Sequence, residues 1–306
     1  MATFVTVDLD DIDCYHHVHG LAAPTRRGLA LRVWLPRFLE LFERHKTRAT
    51  FFVIGKDLDA DLRGRAERQL DGEQGKGAEQ LRHALAAGHE LANHSYAHAY
   101  DMVSWDAPRI AQDLARCDTL LRGLGTVCEG FRAPGYTHDR KLLAQVAAMG
   151  YRYDSSRLPS PAYYLAKRSV MAVMSARGKL SASYKGGARS FMGEQAPHYL
   201  SELGLWEVPM SVSRGLRLPI IGTFLFGAPK LVRQQLMREA KRRRDLVLEM
   251  HAIDLADPLI DGIDEAIVAK HAELRVPLAD RIEAFDGLLE ARGGGESIAR
   301  GLPRSS

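Results

Sequence analysis

Cysteine is scarce in this chain of 306 residues: there are three, Cys14, Cys117 and Cys128. An odd, sparse set without a C-x-x-C pair supplies neither a disulfide framework nor a zinc–thiolate site. Long apolar runs are missing as well, which excludes a membrane-spanning helix. The opening "MATFVTVDLD" has no basic region ahead of an apolar core, so a signal peptide is not expected. Together these absences point to a reducing cytoplasm. The net charge of +4 is too weak to suggest a nucleic-acid partner. No internal repeat is visible. Apolar content is ordinary at 46%, enough for the core of one large α/β domain.

Strand-like and helix-like segments alternate along the chain. "FVTVDL", "RATFFVIG", "HELANHS", "VCEGF", "YRYDSS", "LWEVPMSV" and "DLVLEMHAID" read as strands. "LPRFLELFERHK", "AEQLRHALAAG", "PRIAQDLARCDTLLRGLG", "HDRKLLAQVAAMG", "APKLVRQQLMREAKRRR" and "PLADRIEAFDGLLEAR" read as amphipathic helices. Gly88 is a natural left-handed helix stop, Thr137 a candidate cap, and Cys117 a core residue on an apolar stripe. This alternation predicts an α/β fold with a parallel sheet, open or closed into a barrel. In both forms functional groups gather at the carboxyl ends of strands.

The unusual polar residues follow that rule. The run "VTVDLDDIDCYHH" sets Asp8, Asp10, Asp11 and Asp13 within six positions at the end of the first strand. Carboxylates so close repel one another unless a cation belongs there. His94 and His98 follow the third strand, Arg132 the fourth, Asp154 the fifth and His251 the last. Each is ordinary alone: an acidic strand end, a weak H-x-x-x-H, a surface arginine, a buried polar histidine. Their joint occurrence at successive strand ends suggests one site. Two imidazoles and a carboxylate can hold zinc or a similar divalent ion, and a further carboxylate can serve as a base. A second histidine across the site can protonate a leaving amine. That is a toolkit for hydrolysing an amide or ester.

In this order the motifs resemble those of the polysaccharide deacetylases with the NodB-homology domain, carbohydrate esterase family 4. The matching stretches are "TVDLDD", "ATFFVIG", "HSYAH", "RAPGY", "YDSS" and "LEMH", from about Thr3 to His251. The resemblance implies a distorted, incomplete (β/α) barrel of about seven strands, similar to a TIM barrel. It implies Asp8 as general base, Asp10, His94 and His98 as metal ligands, and Arg132 as the residue that positions the base. His251 would be the general acid and Asp154 the residue that tunes it. The backbone N–H of Gly135 would bind the oxyanion, with Tyr136 beside the substrate. The implied cofactor is one divalent ion, zinc first, with cobalt or nickel also suited. The implied reaction removes an N-acetyl group from an amino sugar or glycan, releasing acetate and a free amine.

The sequence departs from the commonest family pattern. Leu9 separates the first two aspartates, as in an Asp-x-Asp subgroup, and the third motif reads Gly-Tyr where many members have Tyr-Gly. Residues 157–205 read as an insertion in a single domain spanning 1–291, and 292–306 as a disordered tail. Apolar and basic residues in "SPAYYLAKRSVMAVMSARGKL", "GLRLPIIGTFLFGAP" and "KRRR" suggest a lid or an interfacial surface for a lipid-linked sugar at an anionic membrane. Two other readings keep the fold. One is a deformylase or deacetylase of a lipid-linked amino sugar, or a hydrolase of a small cyclic amide. The other is a non-catalytic sugar-binding module.

Overall fold

A computed structural model of the chain describes residues 2–63, 75–165 and 191–303. Eight strands form one sheet: β1 (Thr3–Asp8), β2 (Thr50–Val53), β3 (Glu90–Asn93), β4 (Gly130–Phe131), β5 (Tyr153–Asp154), β6 (His198–Leu200), β7 (Leu205–Glu207) and β8 (Leu246–His251). Their order is β6-β7-β5-β4-β3-β2-β1-β8. Only β6 runs antiparallel, against β7; the other pairs are parallel. The sheet curls into a distorted, incomplete (β/α) barrel. Between β7 and β8 no regular ladder forms among the described residues. Instead Ser211 N–H donates to Val247 C=O at 3.1 Å, and Ile221 bridges Glu249.

Side chains alternate along each strand, so every strand feeds both the barrel interior and the outer helical layer. Outside, the helix Leu35–Arg44 buries Leu35, Phe38, Leu39 and Phe42, and Ala107–Arg122 buries Ile110, Leu114, Cys117 and Leu121. Cys117 is thus a core residue, as its stripe suggests. Inside, at the amino ends of the strands, Phe4, Phe52, Ala92, Tyr153, Val208, Val247, Ile298 and Leu302 form an apolar plug. The Tyr153 ring lies flat across Gly130; a Cβ there would sit 1.9 Å from the ring. Only glycine allows β4 and the Tyr153 side chain to pack this closely.

Several expectations change. The tail is ordered as far as Pro303. Glu296 N–H donates to Thr3 C=O at 2.8 Å, Val5 N–H donates back to Glu296 C=O at 3.2 Å, and Ile298 is fully buried. Its glycine-rich composition reads as disorder, but Gly293 and Gly294, at φ 70 and 87, turn the chain back under the barrel. The helix Arg140–Ala148 is capped by Asp139, which accepts from Leu142 N–H, and not by Thr137. Two helices unforeseen in the sequence, Ile12–Val18 and Gly55–Arg63, follow β1 and β2 directly. Of the insertion, residues 166–190, including most of the stretch read as a lid, lie outside the described residues. Among the described residues no helix is long and apolar enough to cross a membrane.

Candidate active site

The first anchor is Asp8, the last residue of β1, 1% exposed. Its Oδ1 accepts from Arg132 Nη1 at 2.6 Å. Arg132 follows β4 and is fully buried. Its Nε donates to Ser155 C=O and its Nη2 to Ser155 Oγ, both at 2.9 Å. Both terminal nitrogens reach Thr6 Oγ1 at 3.1 Å, and the guanidinium lies 4.1 Å from the centre of the Phe52 ring. Burial works against this cation, but the carboxylates of Asp8 and Glu249 outweigh it and raise the Arg132 pKa. A cation fixed from every side in turn fixes the direction of Asp8.

Asp10 lies two residues on, as the strand period requires for a shared face. Its Oδ1 lies 3.4 Å from His94 Nε2 and 3.3 Å from His98 Nε2. The histidines come from a tight turn after β3, not a helix. Ser95 and His98 take positive φ values of 67 and 52, a strained arrangement for residues with a Cβ. The turn is held by Asp113, whose oxygens accept from Tyr96 and Ala97 N–H at 2.8 and 2.9 Å, and by Ser95 Oγ, which accepts from His98 N–H at 3.0 Å. His94 Nδ1 pairs with Arg132 C=O at 2.8 Å, so Nδ1 carries a hydrogen and, in the neutral ring, Nε2 presents a lone pair.

Asp10, His94 and His98 form a buried set able to hold a cation. Asp10 Oδ1 and His98 Nε2 are buried and lack a hydrogen-bond partner among the described residues. Ligands on a tetrahedral zinc ion, with bonds of about 2.0–2.1 Å, stand roughly 3.3 Å apart. The 3.3 and 3.4 Å spacings from Asp10 to the two imidazoles match that separation. Burial alone would raise the Asp10 carboxyl, but His98 and His94 overcome it and hold its pKa well below the usual range. Burial lowers the His98 imidazole, which suits a neutral ligand.

Asp11 turns away from this set. Its carboxylate accepts from Gly28 and Ala30 N–H at 2.5 and 3.0 Å and anchors the following loop. His16 pairs with Ala22 C=O and lies 3.2 Å from Asp264. Across the cavity His251 ends β8, its Nε2 3.0 Å from the Tyr136 hydroxyl. Gly135 and Tyr136 follow β4 in consecutive left-handed conformations, φ 59 and 62. The inverted Gly-Tyr pair thus carries the Tyr136 side chain to the general-acid candidate.

Asp154 stands apart. Tyr153 points into the barrel, so Asp154 points out of it. Its carboxylate accepts from Ser156 Oγ at 2.6 Å and Ser156 N–H at 3.0 Å, and it is bonded to Glu207 rather than to His251. The acid beside His251 is Glu249, with Oε1 3.1 Å from Nδ1. A glutamate inside the apolar run "LVLEM", in step with the histidine, was its signal in the sequence.

Residues 27–153 match the family model described as polysaccharide deacetylase. No curated protein sequence matches the chain. Among solved structures, a Mycobacterium smegmatis protein assigned to the polysaccharide deacetylases is 18% identical, with a TM-score of 0.51, over 100% of this chain and 94% of that one. A peptidoglycan N-acetylglucosamine deacetylase is 11% identical, with a TM-score of 0.50, over 99% and 89%. A family 4 acetyl xylan esterase from Clostridium thermocellum, in complex with a cobalt ion, is 21% identical with a TM-score of 0.35; the match covers 52% of this chain and 58% of that one.

Proposed function

We propose that this chain is a metal-dependent hydrolase that removes an N-acetyl group from an amino sugar or N-acetylated glycan, releasing acetate and a free amine. The observation that carries the reading is the buried Asp10–His94–His98 set, spaced for a divalent ion, directly beside the Arg132-bound carboxylate of Asp8. When bound, such an ion supplies Lewis acidity and a nucleophilic water at neutral pH. Zinc is the first choice, and cobalt and nickel suit the same donors. Asp8 accepts the proton of the attacking water, and Arg132, 2.6 Å from its Oδ1, keeps it aimed. The Gly135 N–H donates to the oxygen that becomes negative at the tetrahedral carbon. His251 returns a proton to the departing nitrogen through Nε2.

Neither the ligands nor the base nor the acid is missing, which argues against a non-catalytic sugar-binding module. The test is mass spectrometry of the released acid with zinc-loaded protein, over a panel of N-acetylated and N-formylated sugars, free and lipid-linked. Acetate release is expected. Formate alone would move the assignment to a deformylase, and no acid from any member would overturn the hydrolase reading. A membrane role stays a separate proposal, carried by basic Lys241–Arg244 and tested by flotation with anionic liposomes at low salt; absence of binding there sinks it.

A further inference from the structure

A histidine that protonates a leaving group needs something behind it. Glu249 lies two residues before His251 on β8, so both side chains face the interior. Glu249 is fully buried, its Oε1 is 3.1 Å from His251 Nδ1, and neither oxygen accepts a hydrogen bond among the described residues. On the far side of the ring, Nε2 meets the Tyr136 hydroxyl at 3.0 Å. The imidazole is held between a carboxyl group and a phenol.

We propose that Glu249, not Asp154, is the positioning residue for His251, and that the two form a proton-sharing pair that delivers the Nε2 proton to the leaving nitrogen. The proposal rests on the hydrolase reading above. Burial pushes the Glu249 carboxyl well above its usual range and pushes the His251 imidazole down. An isolated charge on either is therefore disfavoured. A carboxylic acid beside a neutral imidazole holds as many protons as a carboxylate beside an imidazolium; only the position of the proton between Oε1 and Nδ1 differs. In both forms Nε2 carries a hydrogen, donated to the Tyr136 oxygen until substrate takes its place. When the C–N bond breaks, its electron pair goes to nitrogen and the Nε2 proton follows. The Nε2–H electron pair stays on the ring, the shared proton settles on Nδ1, and Glu249 is left as carboxylate. Asp8, Asp10, Asp254, His94 and Arg132 also act on the pair: the three carboxylates favour retention of its proton, while Arg132 and His94 favour release.

The test uses zinc-loaded protein with 15N-labelled histidine, titrated by NMR between about pH 5 and 9, where histidine charge normally changes. The wild type is expected to keep His251 Nε2 protonated through neutral pH. Glu249→Gln is expected to lower the His251 pKa, since a partner able to become anionic is gone. In turnover, its kcat should fall by about 10²–10³-fold with KM within about twofold, and the alkaline limb of kcat should move to lower pH. Glu249→Asp should recover part of both, and Asp154→Asn should leave the His251 titration in place. Four results overturn the proposal: an unprotonated Nε2 in the neutral wild type, an unmoved titration in Glu249→Gln, a moved one in Asp154→Asn, or a second zinc equivalent lost with Glu249. The NMR arm needs no turnover, so inert substrates would count against the hydrolase reading alone.

Discussion

The two ends of the barrel interior are built by the same strands and are almost equally dry. β1 gives Phe4 to the lower end and Asp8 to the upper; β8 gives Val247 and His251. Phe4 is 4% exposed and Asp8 1%, so burial does not distinguish the ends. Chemistry does. Below, burial of apolar surface stabilises the fold and leaves nothing unmet. Above, burial desolvates carboxylates, imidazoles and a guanidinium, which is costly unless they pair or receive an ion. The lower end makes the barrel stable, and part of that stability holds reactive groups together where they would otherwise separate.

Mutations at the two ends should separate activity from stability. The largest effect belongs to the upper end. Asp8→Asn and His98→Ala are each expected to reduce acetate release by about 10²–10⁴-fold or to background. Metal analysis should then divide them: Asp8→Asn keeps its zinc and His98→Ala loses it. Near-wild-type turnover in either would refute the assignments. Ile298→Ala, at the lower end, should instead cost about 2–5 kcal/mol of unfolding free energy in urea while zinc stoichiometry and KM stay unchanged.

Zinc itself should raise the melting temperature of the wild type, by up to about 4 kcal/mol of added stability when the ion exceeds its dissociation constant 1,000-fold. His98→Ala should gain little, and Ile298→Ala should gain as much as the wild type. Equal gains in all three would mean that the ion binds elsewhere. The smallest effect lies outside the barrel. His89 accepts from Ala49 N–H through Nδ1, and burial lowers its pKa to about 4. Between about pH 6.5 and 4 the unfolded chain binds a proton there that the native one refuses. Stability should therefore fall with acidification by about 1.4 kcal/mol per pH unit from this group. Urea melts of wild type and His89→Phe across that window measure it as a difference in slope.

Legibility in the sequence followed a similar division. The strand-end polar residues could be found because each interrupts an apolar run in step with the barrel interior. Asp8, Asp10, His94, His98, Arg132 and His251 do come together in one cavity. Glu249 is less legible, because a lone acid inside the apolar run before His251 belongs to no motif of its own. Asp154 was misplaced for a related reason: its motif match was good, but strand parity sends it outward. The tail was read by composition alone, which is blind to the tertiary partner that orders it. Thr137 lost the cap to Asp139 because helix starts depend on local backbone geometry more than on residue type.

One pairing also bears on how the chain comes into being. β1 is flanked on one side by β8 along its whole length and touched by Glu296 at its base. Its partners on that side are made some 240 residues later, so a ribosome still reading the message holds a barrel with an open seam. Until β8 emerges, Asp8 has no His251 across from it, and β1 exposes an unpaired edge. The reactive centre thus waits on β8, and the nascent chain stays open to misassociation until that strand emerges.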